Sequence, residues 1–242
     1  MRSTAVNPAT APRIDRACRD AELDTVFQPL IDLERNRLVA YEALTRFPAD
    51  MAGTTRDWFA NANAVGLGPR LELAAVAAAL VYLDEIPEDV ALAVNVSAEV
   101  AMTDEFFELV APVASRLIVE LTEHDPVDDY DALIDQLAQL RALGARIAVD
   151  DVGAGFSSLQ HAFLLEPDIV KLDLSLTSVI GTDARTRALI ATLVRYAART
   201  GAAVAAEGIE SEHELERVRE LGIHHGQGYL LGRPAPLTVS LN

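Results

Sequence analysis

The sequence predicts an α/β protein, a (β/α)8 TIM-like barrel whose first strand runs antiparallel to the rest, and three observations predict it. From about residue 91 onward, short apolar runs alternate with longer segments of helical period, the pattern of successive βα units. Ahead of that repeat, two strand-like runs are separated by a polar stretch too short to hold a crossover helix. The 242 residues are a common size for one barrel. An open α/β sheet is the other arrangement the pattern allows.

Taken in order, residues 1–21 carry Arg2, Arg13, Arg16 and Arg19 but no apolar stretch of signal-peptide length; they are expected to form a flexible N-terminal segment ahead of a barrel domain over 22–242. Thr25 to Ile31 and Leu38 to Leu44 read as strands, and the polar stretch Asp32 to Arg37 between them predicts an antiparallel hairpin. One helix is expected from about Trp58 to Tyr82. Five strands then follow: Ala91 to Val96, Leu117 to Leu121, Arg146 to Val149, Ile169 to Leu172 and Ala203 to Ala206, with a last one near Gly228 to Leu231. Between them, Leu133, Ile134, Leu137, Leu140 and Leu143, and likewise Leu189, Ile190, Leu193, Val194 and Ala197, recur at the three- and four-residue steps of helices covering a barrel.

Composition excludes several classes. Half the residues are hydrophobic and no low-complexity tract interrupts the chain, which argues for a packed core. The longest apolar run, Leu73 to Leu83, is about half the roughly 20 residues of a membrane helix, so no membrane insertion is expected. Cys18 is the only cysteine, which rules out an intrachain disulfide and a thiolate-rich metal site and fits a cytoplasmic protein. A formal charge of −17 repels nucleic acid polymers, whereas a small phosphate ligand is accommodated if cations intervene. His124, His161, His213, His224 and His225 show no ligand spacing, and phosphate-loop and dinucleotide glycine signatures are absent.

The chemistry is expected at the strand ends. Glu42, Asn95, Glu120, Asp150 with Asp151, Lys171, Glu207 and Gln227 each fall at or just after the C-terminal end of a strand, the ends that form the active rim of a barrel. One such carboxylate usually caps a helix or meets solvent. Polar groups at seven strand ends are harder to dismiss, and five of them are carboxylates. Like charges that converge on one cavity require compensating cations, and hard divalent ions such as Mg2+ or Mn2+ take oxygen ligands of this kind. Two such ions suit displacement at a phosphodiester. All but one of the twenty basic residues are arginine, and the exception, Lys171, sits at this rim, where a compact ammonium serves differently from a planar guanidinium.

These motifs resemble, in order and over residues 22 to 236, the EAL-domain family: Gln28-Pro29, Glu42-Ala43-Leu44 with Arg46, Asn95-Val96-Ser97, Glu120-Leu121-Thr122-Glu123, Asp150-Asp151-Val152-Gly153-Ala154-Gly155, Lys171-Leu172-Asp173, Ala206-Glu207-Gly208-Ile209-Glu210 and Gln227-Gly228-Tyr229. The resemblance implies a bacterial enzyme that hydrolyses cyclic di-GMP to linear pGpG with two divalent cations, Mg2+ or Mn2+. It implies Glu42, Asn95, Glu120 and Asp150 as ligands of one cation, and Asp150, Asp151 and Glu207 as ligands of the other. Lys171 would orient the attacking water, Glu207 would be the general base, and Asp151 would share in catalysis. Gln28, Leu44, Arg46, Gln227 and Pro234 would contact the substrate, while Glu123 and Glu210 would anchor loops. Members often form homodimers through the loop after Asp151, where Val152, Ala154 and Phe156 depart from the usual Phe, Thr and Tyr; Leu174 and Leu176 replace the common Arg and Phe. No cyclase or sensory domain fits beside a barrel within 242 residues, which suggests a stand-alone domain or an excised piece of a longer chain. A non-catalytic cyclic di-GMP receptor, a partner-binding module and an enolase-type barrel are the competing readings. None of the positions lost in receptor-type members is lost here.

Overall fold

A computed structural model describes residues 10–19, 23–48, 53–122, 127, 129–153 and 156–237. Eight strands close into one barrel in sequence order: β1 (Asp24–Asp32), β2 (Arg37–Arg46), β3 (Ala91–Val96), β4 (Leu117–Leu121), β5 (Arg146–Val152), β6 (Ile169–Leu172), β7 (Ala203–Ala206) and β8 (His225–Gly226). β1 is antiparallel to both neighbours, pairing Gln28 with Glu42 on one side and Ile31 with Gly226 on the other; β2 to β8 are mutually parallel.

The helices are α1 (Thr10–Arg19), α2 (Thr55–Ala64), α3 (Gly68–Leu80), α4 (Ala98–Ala101), α5 (Asp104–Val110), α6 (Tyr130–Ala142), α7 (Phe156–Leu164), α8 (Leu174–Thr177), α9 (Ala184–Thr200) and α10 (Glu212–Glu220). Their buried faces follow the sequence period: Leu133, Leu137 and Leu140 of α6, and Ile190, Leu193 and Ala197 of α9, pack on the outside of the strands.

Four expectations are corrected. Residues 10–19, placed in a flexible start, form α1, whose Ile14 and Ala17 are buried with Trp58, Ala62 and Leu71 of α2 and α3; Asp15 holds it there through Arg70, at 2.5 Å. The single helix expected over 58–82 is two, because Gly66 takes φ +73° and Pro69 opens a new first turn. The last strand is not Gly228 to Leu231 but His225–Gly226, two residues that close the barrel by pairing with β1 and β7; Gly228 to Leu231 form the turn after it. β5 also runs past the expected Val149, with a register shift between Val149 and Val152 that bulges Asp150 and Asp151 out of the ladder.

The two-residue period of a strand explains where the polar groups lie. Leu30, Ala40, Ala91, Ala93, Ile118, Ala148, Ile169 and Ala205 form a separate apolar cluster of mostly small side chains in the barrel. Two residues further along their strands, Ala40, Ala93, Ile118, Ala148, Ile169 and Ala205 lead to Glu42, Asn95, Glu120, Asp150, Lys171 and Glu207. Successive inward positions therefore switch from a small apolar layer to a layer of charge.

Candidate metal centre at the barrel mouth

Lys171, on β6, is at the centre of that charged layer with 1% of its surface exposed. Its Nζ lies 2.6 Å from Glu120 Oε2, 2.7 Å from Glu207 Oε1, 3.2 Å from Asp150 Oδ1 and 3.4 Å from Glu42 Oε2. Four strands separated widely in sequence thus aim carboxylates at one ammonium. Glu42 is gripped further: Asn95 Nδ2 donates to its Oε1 at 2.9 Å and Gln227 Nε2 to its Oε2 at 2.6 Å. The network continues outward, since Gln227 Nε2 also donates to Gln28 Oε1 at 3.1 Å and Gln28 Nε2 to the Gly232 carbonyl at 3.0 Å.

One positive charge cannot neutralise four negative ones, and the ionisation of the group records this. Burial and the charges of Glu42 and Asp150 push Glu120 well above the ordinary carboxylate range, against the pull of Lys171. Burial likewise raises Glu207 to about 8, with Asp150 and Glu42 adding to the effect and Lys171 opposing it. Burial also opposes ionisation of Glu42, but Lys171 and the hydrogen bonds from Asn95 and Gln227 outweigh it and hold its carboxyl below the usual value. Lys171 is the converse case: burial disfavours its charge, yet Asp150, Glu120, Glu207 and Glu42 together raise it well above a normal lysine. Desolvation costs several kcal/mol per buried ion, so this surplus of negative charge calls for added cations or protons.

Donor chemistry and geometry both fit hard divalent cations. Oxygens of Glu42, Glu120 and Asp150 lie within 4.8 Å of one another, and so do those of Asp150, Asp151 and Glu207. The two sets share Asp150, whose buried Oδ1 contacts Lys171 Nζ without forming a hydrogen bond; among the described residues the buried Gln227 Oε1 accepts no hydrogen bond. Asp151 takes φ +52°, a left-handed conformation rare outside glycine, and the β5 bulge is what turns two adjacent aspartates toward one rim. Asn95 belongs to the first set through its hydrogen bond to Glu42.

The structure therefore brings Glu42, Asn95, Glu120, Asp150, Asp151, Lys171, Glu207, Gln227 and Gln28 together. Leu44 and Arg46 sit beside them, lining a cavity of about 410 Å³ that reaches Asn95 and Thr122. Pro234 precedes Ala235, which bridges Phe27 of β1. Glu210 is exposed, and its backbone amide donates to Glu214 Oε2 at 2.9 Å. Glu123 and Ala154 lie outside the described residues. Sequence reasoning missed the far wall of the cavity, which Thr55, Phe59 and Asn63 of α2 and Glu72 of α3 supply. The four-residue spacing of Thr55, Phe59 and Asn63 is readable, but nothing local says that this stripe faces the barrel mouth.

A closed barrel with a carboxylate-rich mouth around one buried lysine defines a barrel protein with a candidate metal centre. The family model of the EAL domain matches residues 11–234, and the chain belongs to that family. It is similar to the cyclic di-GMP phosphodiesterase PdeB of Shewanella oneidensis, with 27% identity over 246 residues covering 95% of this chain and 28% of PdeB. The chain spans about a third or less of the length of the first curated relatives it matches. Among solved structures, the PaMucR phosphodiesterase in complex with c-di-GMP is 28% identical, with a TM-score of 0.81 over 94% of this chain and 98% of that one. The manganese/c-di-GMP complex of Klebsiella pneumoniae BlrP1 is also 28% identical, with a TM-score of 0.78 over 88% of this chain and 56% of that one. No helix among the described residues is long and apolar enough to cross a membrane.

Proposed function

We propose that this chain is a phosphodiesterase that hydrolyses cyclic di-GMP to linear pGpG and uses two divalent cations, Mg2+ or Mn2+. The observation that carries the reading is the pair of carboxylate sets sharing Asp150 around Lys171. Support comes from PdeB, named a cyclic di-GMP phosphodiesterase, and from the nucleotide and manganese in the complexes of PaMucR and BlrP1.

Glu42, Asn95, Glu120 and Asp150 would hold one cation, and Asp150, Asp151 and Glu207 the other. When bound, such cations polarise the phosphodiester and make water acidic at neutral pH. Lys171 orients the attacking water and neutralises part of the charge around it. Glu207, whose side chain is 21% exposed, is the most open of the four carboxylates paired with Lys171 and takes the water proton as general base. The water oxygen bonds to phosphorus as the bond from phosphorus to the ribose 3′ oxygen breaks; that oxygen takes up a proton from solvent while Glu207 returns its own to solvent, and the product keeps a 5′ phosphate. Gln28, Gln227, Leu44, Arg46 and Pro234 hold the dinucleotide over the mouth. Exposed Phe163, Leu164 and Leu189 give apolar surface for a homodimer, and the lone Cys18 fits a cytoplasmic setting.

The test is chromatography of the product formed from cyclic di-GMP with Mg2+ or Mn2+, with and without chelator. Chelator-sensitive cleavage that disappears in Glu42→Ala and Lys171→Ala is expected. Tight nucleotide binding without cleavage would make the chain a receptor, and absence of both would overturn the reading.

A further inference from the structure

The three carboxylates of the second set come from the ends of two strands. Asp150 and Asp151 precede Gly153 at the end of β5, and Glu207 precedes Gly208 at the end of β7. β6 lies between these strands, and it ends in α8, a single turn capped by Asp173, whose Oδ1 accepts the Ser175 amide at 2.9 Å. Backbone hydrogen bonds tie the end of β6 to both neighbours: Asp173 N donates to Val152 O and Glu207 N to Leu172 O, each at 3.2 Å.

Two leucines of α8 extend that tie into the loops. Leu176 rests on Gly153, where an added Cβ would collide with Leu176 Cδ1, and Leu174 rests on Gly208, where it would collide with Leu174 Cδ1. Both glycines take positive φ, +112° at Gly153 and +68° at Gly208, so each loop turns sharply under the leucine that covers it. Leu174 is 49% exposed, although its end lies against Gly208. That exposure makes little sense as core packing.

We propose that Leu174 and Leu176 are positioning residues: α8 braces the Asp150–Asp151 loop against the Glu207 loop and so sets the spacing of the second cation's ligands. The inference rests on the reading of those carboxylates as cation ligands. Partners one layer behind a metal's ligands typically govern affinity by 10- to 100-fold.

The experiment is Mn2+ binding to the intact chain, followed by calorimetry and by the electron paramagnetic resonance of free Mn2+, with cleavage assayed in parallel. Leu174→Ala and Leu176→Ala are expected to weaken Mn2+ binding by roughly tenfold or more. Cleavage should recover at saturating Mn2+, with the KM for cyclic di-GMP unchanged. Leu174→Met, which keeps the reach of the side chain, should restore affinity to within about twofold. Leu137→Ala on α6, a core truncation remote from α8 in sequence, should lower the melting temperature without changing Mn2+ affinity. If Leu176→Ala does not fold, Leu174→Ala carries the test from its half-exposed position. Unchanged Mn2+ affinity in the folded leucine variants overturns the brace. Absence of Mn2+ binding by the wild-type chain overturns the reading of the site itself, and the brace with it.

Discussion

The barrel buries carboxylates at both ends and treats them in opposite ways. At the N-terminal end of the parallel strands, Asp32 is 5% exposed and fully satisfied. Its Oδ1 accepts the amides of Glu34 and Arg35 at 3.0 and 2.9 Å, and its Oδ2 pairs with Arg35 at 3.0 Å. The Arg35 amide and guanidinium outweigh burial and hold this carboxyl below its ordinary value. At the mouth, Glu120 and Glu207 are raised, and four carboxylates compete for one ammonium. A carboxylate that serves the fold is satisfied by the fold, whereas the mouth gathers more carboxylates than its one ammonium can neutralise.

The comparison can be broken in four places. Asp150→Asn strikes both carboxylate sets, so cleavage should fall by on the order of a thousandfold or more in steady-state assays. Lys171→Met removes the one counter-charge; denaturant titration in chelator should show a loss of about 3–5 kcal/mol, partly restored by Mn2+. A variant as stable as wild type would mean that the carboxylates compensate one another by protonation.

The third concerns pH. Glu207 rises from 4.5 unfolded to about 8 in the fold, so its contribution is fully present below pH 4.5 and is lost as pH rises through about 8. Chelated protein should therefore lose stability across that window, by on the order of a few kcal/mol, and added Mn2+ should flatten the profile. Asp32 has the opposite sign: its contribution is present above 3.8 and is lost as pH falls through its lower folded value. Asp32→Asn, the smallest effect, should cost about 1 kcal/mol near neutral pH and leave cleavage unchanged.

What was legible in the sequence follows from how local each signal is. β3, β4, β6 and β7 were readable to the residue because fully buried parallel strands are short continuous apolar runs. The rim was readable because Glu42, Asn95, Glu120, Lys171 and Glu207 end such runs, and two-residue periodicity does the rest. β8 was misplaced because His225 and Gly226 are strand only through pairing with β7 on one side and with β1, nearly two hundred residues away, on the other. α1 was missed because its burial depends on α2 and α3, and its arginines look like a solvated segment when those helices are not in view. The bulge at Asp150 and Asp151 has no local signature beyond the repeated aspartate.

The chain's single lysine has one more consequence, for chemistry done on the protein rather than by it. Lys171 is 1% exposed and locked among four carboxylates, so an amine-selective acylating reagent meets no side-chain amine on the folded surface. Acylation at Lys171 then requires the barrel to open. Its rate, read by mass spectrometry of one peptide, becomes a clock for that opening, and divalent cations should slow the clock.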